Sequence, residues 1–177
     1  MDRRKAGWYT TENDSGESAA MPLVFRSMLA DGSGLHPRVA NDAKSLGVRI
    51  EGETNGQPDI AVQDGIVKPG REGMSVSPSP ERLPFFLIPR RFVNVQFGRP
   101  GVPKGSNSTM CWQHGDGPFE DGAFAEGLML MKEPENNPMH GVIAPAAEVR
   151  LDEYRSALAH TRPDWIFLRW PWEEETQ

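Results

Sequence analysis

The chain has 177 residues, a formal net charge of −6 and 37% hydrophobic residues, which is sufficient for one domain with its own core. This acidic balance argues against binding to a nucleic-acid backbone, because such binding needs concentrated lysine and arginine. A single cysteine, Cys111, excludes an internal disulfide, and no apolar run reaches the roughly 20 residues that cross a bilayer.

Three regions are predicted from composition. Residues 1–20 are polar and small, and we interpret them as a flexible N-terminal tail. They contain no apolar stretch typical of a signal peptide, so we expect a soluble, cytoplasmic protein whose export, if any, follows a non-classical route. Residues 21–170 are predicted to form a single domain, and residues 171–177 an acidic tail.

The first half of the predicted domain is expected to hold short strands separated by turns. Residues 22–29 have the length and the valine and phenylalanine content of a strand, within which Arg26 is an unusual charge. Apolar residues at helical spacing predict a short helix over 36–47. Turn residues dominate the next stretch, where only 60–62 and 66–67 look extended.

The second half is predicted to be richer in strands and to contain the one clear helix. Apolar residues at spacings of three and four, behind an acidic first turn, predict that helix over 151–161. The predicted strands cover 83–97, 110–113, 123–132, 141–143 and 165–170. Together these elements predict an α+β domain dominated by sheet.

Arg26 and a pair of serines are candidates for ligand binding. A guanidinium inside an apolar strand must be paired or must face a cleft if it is buried, so Arg26 is an anion clamp, part of a structural ion pair, or a strand residue that faces outward. Ser75 and Ser77 point to the same face if their segment is a strand. Both hydroxyls then reach one ligand, whereas a solvent-facing pair is the alternative.

The histidines suggest one further candidate and no metal site. His140 is predicted to stand at the entry of a strand and point into a site, with a structural histidine as the alternative. The spacing of the four histidines and one cysteine matches no zinc site. A hydrolytic triad could be assembled only from His114, Asp116 and Ser108, without the usual Gly-x-Ser-x-Gly turn.

Several short segments, in a defined order, resemble a known family. They are Val24-Phe25-Arg26, residues 58–60, 64–69 and 73–77, and then 140–146, followed by a helix with Leu158 and Arg162 and by Trp165. This order resembles the small effector toxins of bacterial type VI secretion whose fold is that of ADP-ribosylating toxins. Where the family has a second glycine and a threonine, this chain has Glu72 and Met74, so position 74 supplies no hydroxyl.

The resemblance implies a fold and a set of contacts. A split, mostly antiparallel sheet with few short helices is expected to bind NAD. Arg26 would bind the phosphate or ribose side of NAD, while Ser75, with Ser77, would brace the nicotinamide ribose. His140, which matches the family's order, would bind the ribose or orient the substrate.

Cleavage of the nicotinamide glycosidic bond also calls for a carboxylate. The reaction passes through an oxocarbenium-like centre, which a nearby carboxylate stabilises as it does in glycoside hydrolysis. Glu126, a lone acid within the predicted strand over 123–132, is the catalytic candidate, and Glu120 is the weaker choice.

The predicted function is that of an NAD-dependent ADP-ribosyltransferase-like toxin acting on an intracellular target. Such a toxin implies a cognate immunity protein as partner and neither a membrane nor a nucleic acid. Two alternatives stay open. One is a non-catalytic interaction module on the same fold, anchored by Trp170 and Trp172, and the other is a hydrolase built on His114 and Asp116.

Overall fold

The computed structural model describes residues 20–53, 56–84, 108–133 and 140–168. In these ranges the chain is a mixed α+β structure in which every pair of strands is antiparallel, as the sequence predicts for the fold class. The elements are β1 (Val24–Met28), β2 (Ile66–Val67), β3 (Met74–Val76), β4 (Met110–His114), β5 (Gly122–Ala125), β6 (Leu128–Lys132), β7 (Gly141–Pro145), β8 (Val149–Arg150), α1 (Leu151–His160) and β9 (Ile166–Phe167).

The strands are arranged in two main sheets and one small ribbon. The first sheet has the order β1-β4-β9, the second has the order β3-β7-β6-β5, and β2 pairs with β8. The two main sheets meet where Phe25 of β1 and Ser77 exchange backbone hydrogen bonds of 2.8 and 2.9 Å. Strands β1 and β3 therefore lie next to each other at the junction of the sheets.

The core lies between the sheets and the helix. Every residue of β1 and of β7 is buried, although β1 includes the polar residues Arg26 and Ser27. Helix α1 contributes Tyr154 and Leu158, which are four residues apart and therefore share one face. Burial of such side chains stabilises the fold by roughly 1.5 to 3 kcal/mol each.

Most strands and the final helix were predicted correctly. The predictions over 22–29, 66–67, 110–113, 141–143 and 151–161 correspond to β1, β2, β4, β7 and α1, and β9 lies within the strand predicted over 165–170. Cys111 is buried in β4, as expected for a small apolar side chain. No helix in the described ranges is long and apolar enough to cross a membrane.

The helix predicted over 36–47 is wrong, since this segment forms turns and isolated bridges. The Asp42 carboxylate accepts the Lys44 N–H at 2.9 Å and so competes with helical hydrogen bonding. The carbonyls of Ala43 and Ser45 accept hydrogen bonds from the side chain of Arg26.

The single strand predicted over 123–132 is also wrong, because it is a hairpin of β5 and β6. Gly127 has a φ of 71°, a left-handed conformation that glycine adopts without strain, and it closes the turn. Glu126 therefore lies in an exposed turn and not inside an apolar strand.

Some predictions concern residues outside the described ranges. These are the tail over 1–20 except for Ala20, most of the strand over 83–97, the acidic tail over 171–177, and the two tryptophans Trp170 and Trp172.

Candidate functional site

A cleft of about 910 Å³ lies between residues 49–51, residues 57–62 and the strands β3 and β7. Its volume falls within the roughly 300 to 1,000 Å³ typical of small-molecule and cofactor sites. The polar and charged residues that line it are Arg49, Glu51, Gln57, Asp59, Arg71, Glu72, Ser75, Glu133 and His140.

Two predicted site residues, Ser75 and His140, line this cleft together. The pairing of β3 with β7 causes this, because Ser75 is opposite Val142 and His140 directly precedes β7. Within the described residues, neither the Ser75 hydroxyl nor Nε2 of His140 forms a hydrogen bond. Both groups are therefore available to a ligand.

Glu133 is a third polar residue of the cleft, and no sequence pattern identified it. Its Oε1 lies 3.1 Å from Nδ1 of His140, and its backbone N–H donates to the His140 carbonyl at 3.0 Å. A carboxylate only accepts, so Nδ1 carries the hydrogen of this contact, which leaves Nε2 as the ring nitrogen without a partner among the described residues. The register of β6 and β7, which sets this contact, cannot be derived from composition.

Arg26 lies behind the cleft and not in it. Its side chain is 6% exposed and donates to three backbone carbonyls: Ser45 (3.3 Å from Nε, 3.1 Å from Nη2), Ala43 (3.3 Å) and Ser75 (2.6 Å). Among the described residues it forms no ion pair with a carboxylate. Burial lowers the pKa of Arg26 to about 10, so the group stays charged at neutral pH.

Ser77 does not join Ser75 in the cleft. It is 1% exposed, and its hydroxyl donates to the Arg82 carbonyl at 3.3 Å. The expectation of a shared face fails because β3 ends at Val76, after which Ser77 turns to bridge Phe25 of the first sheet.

The two carboxylates proposed from the sequence lie elsewhere. Glu126 lines a separate cleft of about 610 Å³ beside α1, together with Asp152, Glu153 and other polar residues. Glu120 is exposed and pairs with Lys132 at 2.8 Å. The structure therefore does not bring either one to Ser75 and His140.

The two arginines of the cleft have different environments. Arg49 is engaged by Asp59 through Nη2 at 2.6 Å and Nε at 3.0 Å. Arg71 donates to the Lys132 carbonyl and, within the described residues, forms no ion pair. Arg71 thus provides a positive charge that no described carboxylate neutralises.

The floor of the cleft is held by a close approach of two strands. The Tyr154 hydroxyl donates to the Ile143 carbonyl at 2.6 Å and accepts the Met74 N–H at 3.3 Å, and burial raises its pKa. Gly73 has a φ of 154°, and a Cβ there would lie 2.3 Å from the Ile143 oxygen. Only glycine fits at this position.

His114 is a core residue and not a catalytic base. It is 1% exposed and packs between Phe124 at 4.3 Å and Trp165 at 5.2 Å between ring centroids. Neither ring nitrogen has a hydrogen-bond partner in the part of the chain that the structure describes. Burial lowers its pKa. Asp116 and Ser108 are exposed, so this arrangement gives no support to the hydrolase alternative.

Comparison with known proteins gives no relative from which to transfer a function. No protein-family model matches the chain, and no curated protein matches it significantly. In the ranges that the structure describes, no cluster of three or more side chains is suited to a metal ion. Support for a function therefore comes from the geometry of the cleft.

Proposed function

We propose that this protein is an NAD-dependent ADP-ribosyltransferase-like toxin of the type VI effector kind, acting on an intracellular target. One observation carries the proposal. Ser75 and His140, which the resemblance selects from distant parts of the chain, line the same cleft, and each has a polar group available to a ligand.

The size of the cleft and one of its arginines suit NAD. The cleft of about 910 Å³ is large enough for a dinucleotide, and polar groups within it, among them Ser75 and His140, can fix the orientation of a ligand. The guanidinium of Arg71 supplies a fork of donors suited to a pyrophosphate. In this assignment Arg71 takes the phosphate role that the resemblance gives to Arg26.

The chemistry needs a carboxylate near the ribose, and Glu133 meets this need better than Glu126. The bond between ribose C1′ and the nicotinamide nitrogen breaks, the electron pair leaves with neutral nicotinamide, and C1′ becomes positively charged. Glu133, beside His140, stabilises that charge. The acceptor then forms a bond to C1′ and gives its proton to the carboxylate.

Calorimetric titration of NAD at low salt tests this proposal. We expect saturable binding to the native protein and about tenfold weaker binding to Ser75→Ala and His140→Ala, since each loses about one hydrogen bond to the ribose. Ser156→Ala, an exposed serine of α1, is the matched control and should bind normally. The absence of binding to the native protein would overturn the proposal and favour the interaction-module alternative.

A cellular test addresses the toxin part. Expression of the native chain in a bacterial cytosol should inhibit growth, whereas Glu133→Gln and His140→Ala should relieve it at equal protein levels. Glu126→Gln is the matched carboxylate control and should stay toxic. If Glu126→Gln alone relieved toxicity, the carboxylate assignment would be wrong.

A further inference from the structure

Arg26 is a buried cation that forms no ion pair with a carboxylate of the described ranges, and it lies directly behind Ser75. Four hydrogen bonds connect its guanidinium to carbonyls of two separate segments, residues 43–45 and β3. The shortest of them, at 2.6 Å, goes to the carbonyl of Ser75. A guanidinium has five N–H donors, so few are left for a ligand.

This arrangement fixes distances between backbone segments. The guanidinium is planar and its donors point in fixed directions, so the carbonyls of Ser45 and Ser75 are held at a set separation. Burial strengthens the bonds to the Ser45 carbonyl, because water has little access to either partner. Through Arg26, the 43–45 segment therefore supports β3 on the side opposite to the cleft.

The position of the Ser75 hydroxyl follows from that of its carbonyl. Its main chain is paired to Val142 of β7 on one side and bonded to Arg26 through the carbonyl. With the backbone constrained from two directions, the side chain enters the cleft at a defined place. A shift of about 1 Å in such a group is enough to reduce catalysis about 100-fold.

We propose that Arg26 is a positioning residue that sets the Ser75 hydroxyl in the cleft and does not touch the bound dinucleotide. The part of this inference that concerns catalysis rests on the proposed function. It departs from the phosphate-binding role that the sequence resemblance implies, and the two roles predict different behaviour.

Arginine labelling in the native protein tests the placement without any variant and without NAD binding. Phenylglyoxal, followed by mass spectrometry, should modify the exposed Arg71 readily and leave the buried Arg26 unmodified. Addition of NAD should not change the result at Arg26. Modification of Arg26 at the rate of Arg71, or its protection by NAD, would overturn the proposal.

Kinetics of nicotinamide release test the role. Arg26→Lys keeps a cation among the carbonyls, and we expect it to lower kcat/KM for NAD by up to about tenfold, as loss of the Ser75 hydroxyl does, while the affinity for ADP, which lacks the nicotinamide ribose, changes less than about twofold. Because Arg26 acts through Ser75, the effect should vanish in a Ser75→Ala background. A tenfold loss of ADP affinity in Arg26→Lys, or full additivity with Ser75→Ala, would instead indicate a phosphate clamp.

Hydrogen exchange separates failure of this inference from failure of the proposed function. In Arg26→Lys, amide exchange should accelerate in residues 43–45 and 74–77 and stay unchanged in β5 and β6. If the native protein neither binds NAD nor releases nicotinamide, the proposed function fails, and labelling and hydrogen exchange still show whether Arg26 supports β3 behind Ser75. Equal acceleration of exchange in residues 43–45, 74–77, β5 and β6 of Arg26→Lys would contradict this placement of Arg26.

Discussion

Two buried basic side chains on the paired strands β1 and β4 are surrounded by opposite environments. Arg26 is 6% exposed, and its guanidinium donates hydrogen bonds to three backbone carbonyls. His114 is 1% exposed and packs between two aromatic rings, and its ring nitrogens form no hydrogen bond with the described residues. The first region, which includes Gly73, Ser75 and Tyr154, is held by directional bonds. The second, the aromatic cluster of His114, Phe124 and Trp165, is held by packing.

The difference has an energetic meaning. Replacing one partner of a buried hydrogen bond leaves the other partner unsatisfied, at a cost of about 1 to 3 kcal/mol, while replacing an unbonded polar group by an apolar one of similar shape costs little. The region around Arg26 should therefore be intolerant of substitution, and the aromatic cluster should be tolerant of apolar replacement.

Arg26→Met should produce the largest loss. It removes the donors of three carbonyls, among them the buried carbonyl of Ser45, and we expect the free energy of unfolding to fall by about 3 kcal/mol or more. Urea denaturation measures this change. A loss below about 1 kcal/mol would mean that water replaces the guanidinium, and the contrast between the regions would then be incorrect.

Gly73→Ala should come next. The new Cβ would lie 2.3 Å from the Ile143 oxygen and 2.9 Å from the Tyr154 hydroxyl. Because both distances are too short for a van der Waals contact, β3 would have to move away from β7. We expect a loss of about 2 to 3 kcal/mol in the free energy of unfolding. Gly70→Ala is the matched control, since its Cβ would meet nothing within 4 Å and should leave stability nearly unchanged.

Tyr154→Phe should have a smaller effect in the same region. The substitution keeps the ring and removes the hydroxyl that bonds Ile143 and Met74, at an expected cost of about 1 to 2 kcal/mol. Thermal unfolding at neutral pH would reveal it as a lower Tm. An unchanged Tm would show that packing alone holds this corner of the cleft.

The aromatic cluster should respond to pH and hardly at all to an apolar substitution. Burial lowers the pKa of His114, so the unfolded chain binds the proton more tightly than the folded one. The stability that neutral His114 contributes is present above its ordinary pKa of about 6.5 and is lost as the pH falls below that value.

His114→Phe tests this by urea denaturation between about pH 7.5 and 5. We expect a change of less than about 1 kcal/mol at pH 7.5 and a weaker loss of stability on acidification than in the native protein. His160→Gln, which replaces an exposed histidine of α1, should retain the native pH profile. An unaltered profile in His114→Phe would place the titrating group elsewhere.

The sequence predicted local elements well and long-range contacts poorly. The periodicity of residues 151–161 was sufficient for α1, and the valine and phenylalanine content of 22–29 was sufficient for β1. The hairpin over 123–132 was missed although Gly127 marks it, because the flanking residues are apolar.

The candidate site shows the same division. The resemblance selected Ser75 and His140, which share a cleft, but also Arg26 and Ser77, whose polar groups point away from it. Glu133 was missed because its role depends on the register of two strands. The hydrogen bonds that Arg26 donates were missed because they go to main-chain carbonyls. Every residue has such a carbonyl, so no sequence pattern marks the partners.

Strand β3 pairs with a strand that is far from it along the chain. Its pairing with β7 and the bond from the Met74 N–H to the Tyr154 hydroxyl, 80 residues apart, both require the segment from Gly141 to Tyr154. During synthesis a ribosome must therefore release residues beyond Tyr154 before the cleft can close around Ser75 and His140. A nascent chain that ends before Tyr154 has no complete site, although its Ser75 has already been synthesised.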